Sequence, residues 1–109
     1  MELPIDDEHA PLYSVGQVSD MLGVQAAFLR RLDTEDVVRP GRSLGGQRRY
    51  SRSEVTTVAR VADMASDGFG LAGIRRILEL ENHVAALQDE LATERGRTTG
   101  ERSPGTIER

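Results

Sequence analysis

The sequence contains no cysteine, no lysine and no tryptophan, and only four of its 109 residues are aromatic. Without cysteine, the chain can form no disulfide, no thiolate metal site and no cysteine nucleophile. An apolar content of 38% with so few aromatic residues predicts a small hydrophobic core. A partner chain is therefore expected to contribute additional buried surface.

The chain also lacks a long hydrophobic segment. No apolar run approaches the roughly 20 residues that are needed to cross a bilayer. The acidic N-terminal stretch MELPIDDEHA lacks the basic and hydrophobic regions of a signal peptide. We therefore expect a cytoplasmic protein that does not contact a membrane.

Motifs for catalysis and metal binding are missing as well. The sequence shows no pairing of a nucleophile with a base and no phosphate-binding loop. His9 and His83 are far apart and flank no ligand pattern. We therefore expect a protein that is not an enzyme and that binds no metal and no cofactor.

Residues 13–33 predict two short helices joined at Gly23. The first helix places three apolar residues on one face, namely Val15, Val18 and Leu22. Ser14 precedes this pattern and can cap the helix, while Gly23 follows it where a left-handed backbone is needed. The second helix has an apolar face formed by Phe28, Leu29 and Leu32. Such a pair is typical of a helix-turn-helix, whose second helix enters the major groove of DNA. The alternative is an ordinary helical hairpin.

A basic segment begins in the second helix and continues beyond it. Residues 30–60 contain eight arginines and four acidic residues, a net charge of +4, although the whole chain carries −4. Within this segment, Val37 and Val38 favour a strand, and three glycines predict a loop that reverses the chain. We interpret residues 37–50 as a β-hairpin wing that holds guanidinium groups against the phosphate backbone. The alternative is a surface hairpin with solvated arginines.

Two further helices are predicted after the wing. Ser51 and Glu54 have the spacing of a capping box at the start of a helix that ends near Gly68. In the next helix, apolar residues recur at alternating intervals of three and four residues, at Ile77, Leu80, Val84, Leu87 and Leu91. This is the spacing of a coiled-coil seam about two heptads long, which we interpret as an interface between two chains. The alternative is an amphipathic helix packed on its own domain.

The order of these elements resembles that of the MerR family of bacterial transcription regulators. The resemblance covers about residues 12–92 and depends on LYSVGQVSDMLGV at 12–24, GGQRRYS at 45–51 and LAGIRRILELE at 71–81. These runs are most similar to the heat-shock repressor branch of the family. The resemblance implies a mainly α fold with a winged helix-turn-helix and a short C-terminal coiled-coil helix. It also implies a homodimer, formed through an antiparallel coiled coil, that binds a palindromic operator in double-stranded DNA.

The predicted organisation of the chain follows from these elements. It comprises a disordered acidic arm (1–11), a winged helix-turn-helix domain (12–76), a dimerisation helix (77–95) and a disordered tail (96–109). In the family an effector domain normally follows the coiled coil, whereas here we expect only the tail. The seam residues Ile77, Leu80, Val84, Leu87 and Leu91 are the predicted dimerisation contacts.

The resemblance also assigns roles to individual residues. By position, Arg30 would be the arginine of the recognition helix, and Arg48, Arg49 and Tyr50 would be phosphate contacts of the wing. Among side chains of the recognition helix, glutamine can pair with adenine, arginine with guanine, and apolar groups can contact thymine methyls. The predicted DNA contacts are Gln25, Ala27, Phe28, Arg30, Arg31, Arg42, Arg48, Arg49 and Tyr50.

Three positions depart from the pattern of the family. Members usually carry a polar residue at the position of Phe28, a tyrosine at that of Leu32 and a glycine at that of Asp36. The recognition helix has few base-reading groups, and Arg30 has an alternative partner in Asp33 three residues further on. The second hypothesis is therefore a protein-interaction module on the same scaffold. It would bind another regulator, a chaperone or RNA polymerase, and would read DNA sequence weakly.

Overall fold

The structure is a computed structural model in which residues 7–101 are described, with side chains described as far as residue 97. Over these residues the predicted mainly α fold with a small wing is confirmed. The elements are β1 (Tyr13–Ser14), α1 (Val15–Leu22), α2 (Ala26–Thr34), β2 (Gly41–Arg42), β3 (Arg48–Tyr50), α3 (Arg52–Ser66) and α4 (Leu71–Glu101). The chain divides into two compact units between Arg76 and Ile77.

Side-chain caps begin helices α1 and α3. Ser14 Oγ accepts a hydrogen bond from the Gln17 N–H at 3.1 Å, and the Gln17 side chain accepts one from the Ser14 N–H at 2.8 Å. Ser51 and Glu54 form the same reciprocal pair at 3.0 and 2.8 Å, as predicted. Helix α1 ends at Gly23, whose φ of 67° is the left-handed conformation that the sequence predicted. These contacts satisfy backbone groups that helix ends would otherwise leave unpaired.

The three strands form one antiparallel sheet in the order β1-β3-β2. Tyr13 lies opposite Tyr50 in one pair of strands, and Arg42 lies opposite Arg48 in the other. The sequence did not predict β1, because a two-residue strand has no recognisable alternation of apolar and polar residues. Pairing with β1 places β3 at the centre of the sheet and joins the wing to the start of α1.

The segment between α2 and β2 is not the strand that Val37 and Val38 favoured. Both valines are buried, and the Val37 N–H donates to the Leu32 carbonyl at 2.8 Å, so this backbone closes the end of α2. Asp36 adopts a φ of 59°, a left-handed conformation that asparagine, aspartate and glycine tolerate best. This explains why the related family usually has a glycine here. The wing therefore comprises residues 41–50, four residues shorter than predicted.

The core of the first unit is formed by one face of each of its helices together with β3. The fully buried side chains are Val18, Leu29, Leu32, Tyr50, Val58, Val61 and Ile74. Phe28 was predicted to share the buried apolar face of α2, but it is only half-buried. Leu29 and Leu32 lie one helical turn apart and fill the core in its place.

The part of the N-terminal arm that is described is ordered, contrary to the prediction. The Ala10 N–H donates to the Asp7 carbonyl at 3.1 Å, which closes a turn. The Ser53 N–H donates to the Glu8 carbonyl at 3.0 Å, which attaches the turn to the start of α3. Residues 1–6 lie outside the described residues.

Helix α4 extends to Glu101, so the predicted end of the helix at residue 95 was too early. Arg97 donates to the Glu94 carboxylate at 2.6 Å, a pairing three residues apart that supports this part of the helix. The remainder of the predicted tail, residues 102–109, lies outside the described residues. No helix in the described part of the chain, α4 included, is sufficiently long and apolar to cross a bilayer.

Tyr50 is the largest side chain that is fully buried. Its hydroxyl has no hydrogen-bond partner among the described residues. Burial is the main reason that the pKa of this hydroxyl is raised above its ordinary value of 10.0. A buried polar group without a partner costs roughly 1–3 kcal/mol, so the ring stabilises the core while the hydroxyl opposes it.

We therefore predict that Tyr50→Phe leaves the free energy of unfolding unchanged or raises it, since the ring is kept and the unpaired hydroxyl is removed. Tyr50→Ala should lower it by about 3–5 kcal/mol because it leaves a cavity. Urea denaturation followed by circular dichroism measures both.

The Tyr50 hydroxyl stays protonated in the folded state above pH 10.0, where the same hydroxyl ionises in the unfolded chain. The free energy of unfolding of the wild type should therefore fall as the pH rises from 10.0. The Tyr50→Phe variant should lose less. A large loss of stability in Tyr50→Phe at neutral pH would show that the hydroxyl has a stabilising partner.

Candidate nucleic-acid interface

Helix α2, the candidate recognition helix, exposes a basic face on the side opposite its buried leucines. Ala27, Arg30 and Arg31 are exposed because the helical repeat of 3.6 residues directs them away from the core. Arg31 Nε donates to the Glu35 carboxylate at 2.8 Å. Arg30 has no ion pair with any residue that the structure describes. The Arg30 guanidinium therefore has its donors available for an external acceptor.

The first turn of α2 combines a polar side chain with an apolar cleft. Gln25 is the N-cap residue, but its side chain makes no capping hydrogen bond and the residue is exposed. Phe28 is half-buried and contributes to a surface cleft between α2 and α3 of about 370 Å³. The cleft is lined by Val24, Gln25, Phe28, Ala62, Ala65 and Ser66. Of the two apolar residues predicted to contact thymine methyls, Ala27 is thus the more accessible.

The carboxylate of Asp33 connects α2 to the wing. Its side chain is only 9% exposed and accepts a hydrogen bond from Arg48 Nε at 2.6 Å. Arg42 and Arg39 approach the same carboxylate at 3.4 and 3.6 Å. We name these four residues the Asp33 cluster; three guanidinium groups around one carboxylate give it a net charge of +2. Arg30 is not among the partners of Asp33, so the alternative pair within α2 is not formed.

The three arginines predicted on the wing differ in their accessibility. The Arg48 side chain is 23% exposed and is held by Asp33, whereas the Arg42 side chain is 50% exposed. Arg42 also donates to the Gly46 carbonyl at 3.3 Å, across the turn of the wing. Arg49 is half-buried and has no ion pair with the described residues. The wing therefore exposes Arg42 more than Arg48, and Arg49 has no acidic partner among the described residues that would compete with a phosphate.

Tyr50 is not a surface residue, although it was predicted to contact phosphate. Its side chain is fully buried, so its hydroxyl cannot reach a DNA backbone from this conformation. The prediction grouped Tyr50 with the arginine directly before it, but successive side chains in β3 point to opposite faces of the sheet, so Tyr50 lies on the face opposite to that of Arg49. Tyr50 supports the wing from beneath by packing in the core.

Sequence reasoning also missed the role of Asp33 and of Arg39. Asp33 had been considered only as a helix neighbour of Arg30, and Arg39 had been given no role. Asp33 and Arg48 are 15 residues apart in sequence, and only the folded chain brings them together. The available signal was an acidic residue on the predicted apolar side of α2, one position after Leu32, where an unpaired charge would be unfavourable.

The second unit carries an apolar stripe on α4. Leu80, Val84, Leu87 and Leu91 are 45–63% exposed, and Ile77 is half-buried. Their spacing keeps them on one side of the helix, as the seam predicted. Large exposed apolar residues in a row are typical of a contact surface.

Comparison with known proteins shows which family has this arrangement of elements. The model of the MerR HTH family regulatory proteins matches residues 13–81. Heat shock protein HspR of Streptomyces coelicolor is 38% identical over 86 residues, which are 78% of this chain and 57% of the relative. The HTH-type transcriptional regulator GlnR of Bacillus anthracis is 30% identical over 84 residues, 76% of this chain and 65% of the relative. The chain thus spans less than two thirds of the length of these curated relatives.

Solved structures show the same fold. The N-terminus of MtaN, the multidrug transporter activator of Bacillus subtilis, has a TM-score of 0.59 at 21% identity, covering 81% of this chain and 89% of that one. HiNmlR, a MerR family regulator that lacks the sensor domain and was crystallised with promoter DNA, has a TM-score of 0.59 at 18% identity. That alignment covers 81% of this chain and 74% of HiNmlR. The family match extends over more than half of the length of the present chain. This chain therefore belongs to the MerR family of helix-turn-helix regulatory proteins.

Proposed function

We propose that this protein is a transcription regulator that binds a palindromic operator in double-stranded DNA as a homodimer. The observation that carries the proposal is the exposed basic face of α2, placed beside a wing that bears arginines. A helix of this kind fits the major groove, and a wing beside it fits the phosphate backbone. Such a regulator would act in the cytoplasm, where bacterial DNA lies, and would catalyse no reaction.

The DNA-bound relative supports DNA as the ligand of this surface. HiNmlR shares the fold and was crystallised with promoter DNA. In the proposed complex, Gln25, Ala27 and Arg30 at the N-terminal half of α2 approach base edges, as recognition helices do. Arg42 and Arg49 of the wing approach phosphates and set the register of the protein on the duplex.

The apolar stripe of α4 supports the homodimer. A second copy of the chain would bury these four exposed apolar side chains. Such burial stabilises a complex by about 25 cal/mol per Å² of apolar area that is removed from water. A two-fold dimer places two recognition helices in related positions, which is why a palindromic operator is proposed. The small core of the first unit supports the same conclusion, since a chain with little buried surface gains stability from an additional interface.

The cleft beside Phe28 favours a second candidate function, a protein-interaction module. The ring is half-buried at the start of α2, and the cleft that it lines is mostly apolar. Apolar clefts of this kind accept side chains of a partner such as another regulator, a chaperone or RNA polymerase. Titration of DNA binding with salt separates the two functions, since a DNA-binding surface loses affinity steeply as salt increases. Binding that is absent at low salt would favour the interaction module.

We predict that Arg30→Ala weakens binding to a selected operator by about 1–3 kcal/mol and binding to random DNA much less, if Arg30 contacts a guanine edge. Equal losses on both DNAs would indicate a phosphate contact instead. The operator is obtained by repeated selection from a random duplex pool, and affinity is measured by fluorescence anisotropy. Arg95→Ala, which removes the same charge from an exposed position of α4, serves as the control. Unchanged affinity in a folded Arg30→Ala variant would remove this residue from the interface.

For the wing, Arg49→Gln is predicted to weaken binding to all sequences alike, because a phosphate contact carries no base information. The slope of log affinity against log salt concentration should become shallower by about 0.9, because the variant neutralises one phosphate fewer than wild type does. A salt titration of random DNA measures this slope. If the slope is the same as in wild type, the wing does not contact DNA through Arg49.

The dimer is tested at Leu87, which is 63% exposed in the single chain. We predict that Leu87→Arg makes the protein monomeric, because a charge would be buried in the seam without a partner. Ala86→Arg places the same charge one residue away from the stripe and should remain dimeric. Analytical ultracentrifugation over the micromolar range gives both masses. A wild-type protein that is monomeric throughout this range would contradict the intermolecular seam.

A further inference from the structure

Asp33 is a buried carboxylate that is surrounded by cations on the surface proposed to contact DNA. Its side chain is 9% exposed, while its partners Arg42 and Arg39 are 50% and 69% exposed. Arg48 forms the shortest contact, at 2.6 Å, and is the least accessible of the three. The carboxylate thus faces inward, and at least two of the guanidinium groups around it also face solvent.

Carboxylate and phosphate are competing acceptors for a guanidinium group. Both accept charge-assisted hydrogen bonds from arginine in the same planar geometry. A donor that is directed at Asp33 cannot also bind a phosphate oxygen, and the negative charge of Asp33 opposes the approach of a second anion. Of the two wing arginines in the cluster, Arg42 is the more open to such competition, because its contact with Asp33 is 3.4 Å long, against 2.6 Å for Arg48, and half of its side chain is exposed.

We propose that Asp33 occupies the place of a DNA phosphate in the unbound protein and so limits the sequence-independent affinity of the wing. This inference rests on the proposed function, since it concerns the same DNA surface. Base contacts from the first turns of α2 do not involve Asp33, so the limit falls on phosphate contacts. Asp33 therefore lowers binding to the operator and to random DNA alike, because a phosphate contact carries no base information.

The test compares Asp33→Asn with Asp89→Asn on random-sequence duplex DNA. Asp89 is a matched control because it is exposed on α4 and is not a member of the Asp33 cluster. Both substitutions change the net charge equally. Asp33→Asn should steepen the salt slope by about 0.9, equivalent to one additional phosphate contact, and should raise the affinity for operator and random DNA by the same factor. Asp89→Asn should leave both quantities close to wild type.

Each result has a distinct meaning. Equal slopes for the two variants would overturn the inference by showing a general charge effect, and a shallower slope for Asp33→Asn would overturn it by showing that Asp33 is needed to position the arginines. If wild type itself shows no salt-dependent DNA binding, the proposed function fails. If wild type binds and Asp33→Asn behaves as Asp89→Asn does, only the inference about Asp33 fails.

A second variant tests the inference if Asp33→Asn does not fold, since that substitution leaves three neighbouring arginines without their shared carboxylate. Asp33→Asn combined with Arg39→Gln removes one cation together with the anion, so the net charge of the chain equals that of wild type. This double variant is compared with Arg39→Gln alone, and circular dichroism confirms that both are folded. The double variant should show the steeper slope by about 0.9 because Arg42, the more exposed of the two remaining arginines, is released for one phosphate contact. Identical slopes would overturn the inference.

Discussion

The ion cluster at Asp33 is the interaction on which the arrangement of the candidate DNA surface depends. A buried carboxylate is tolerated only when cations or hydrogen-bond donors surround it, and here Arg48 donates at 2.6 Å from the neighbouring wing. Because Asp33 lies on α2 and Arg48 on β3, the pair sets the distance between the helix that would read bases and the hairpin that would hold phosphates. Removing one partner would leave the other charge buried without compensation.

The rest of the first unit supports this surface through short, well-terminated elements. Capping boxes at Ser14 and Ser51 begin helices α1 and α3, which follow β1 and β3, and each such cap contributes typically about 1 kcal/mol. The ring of Tyr50, which is the aromatic residue of β3, is fully buried and packs in the core beneath the wing. Of the four aromatic residues of the chain, Tyr50 lies in the core and Phe28 lines a surface cleft.

Membership of the MerR family and the position of Phe28 favour different uses of the same scaffold. A polar residue at position 28 would extend the exposed polar surface of α2. Phe28 instead contributes to the apolar cleft between α2 and α3, so Gln25 and Arg30 remain the main polar groups of this surface. A recognition helix with so few base-reading side chains depends more strongly on phosphate contacts. Control of those contacts by Asp33 would then have a larger effect on total DNA affinity than in a helix rich in polar groups.

The sequence by itself determined the elements whose causes are local. Ser51 with Glu54 three residues later, and Gly23 after an apolar face, predicted helix ends because a cap needs only neighbouring residues. Spacing alone also placed the stripe on α4. Tertiary structure alone decided the features that depend on distant partners: the pairing of β1 with β3, the burial of Tyr50 and the ion pair between Asp33 and Arg48. Periodicity reports which side of an element is apolar, but it does not report which element will cover that side. The burial of an individual residue therefore became visible only in the folded chain.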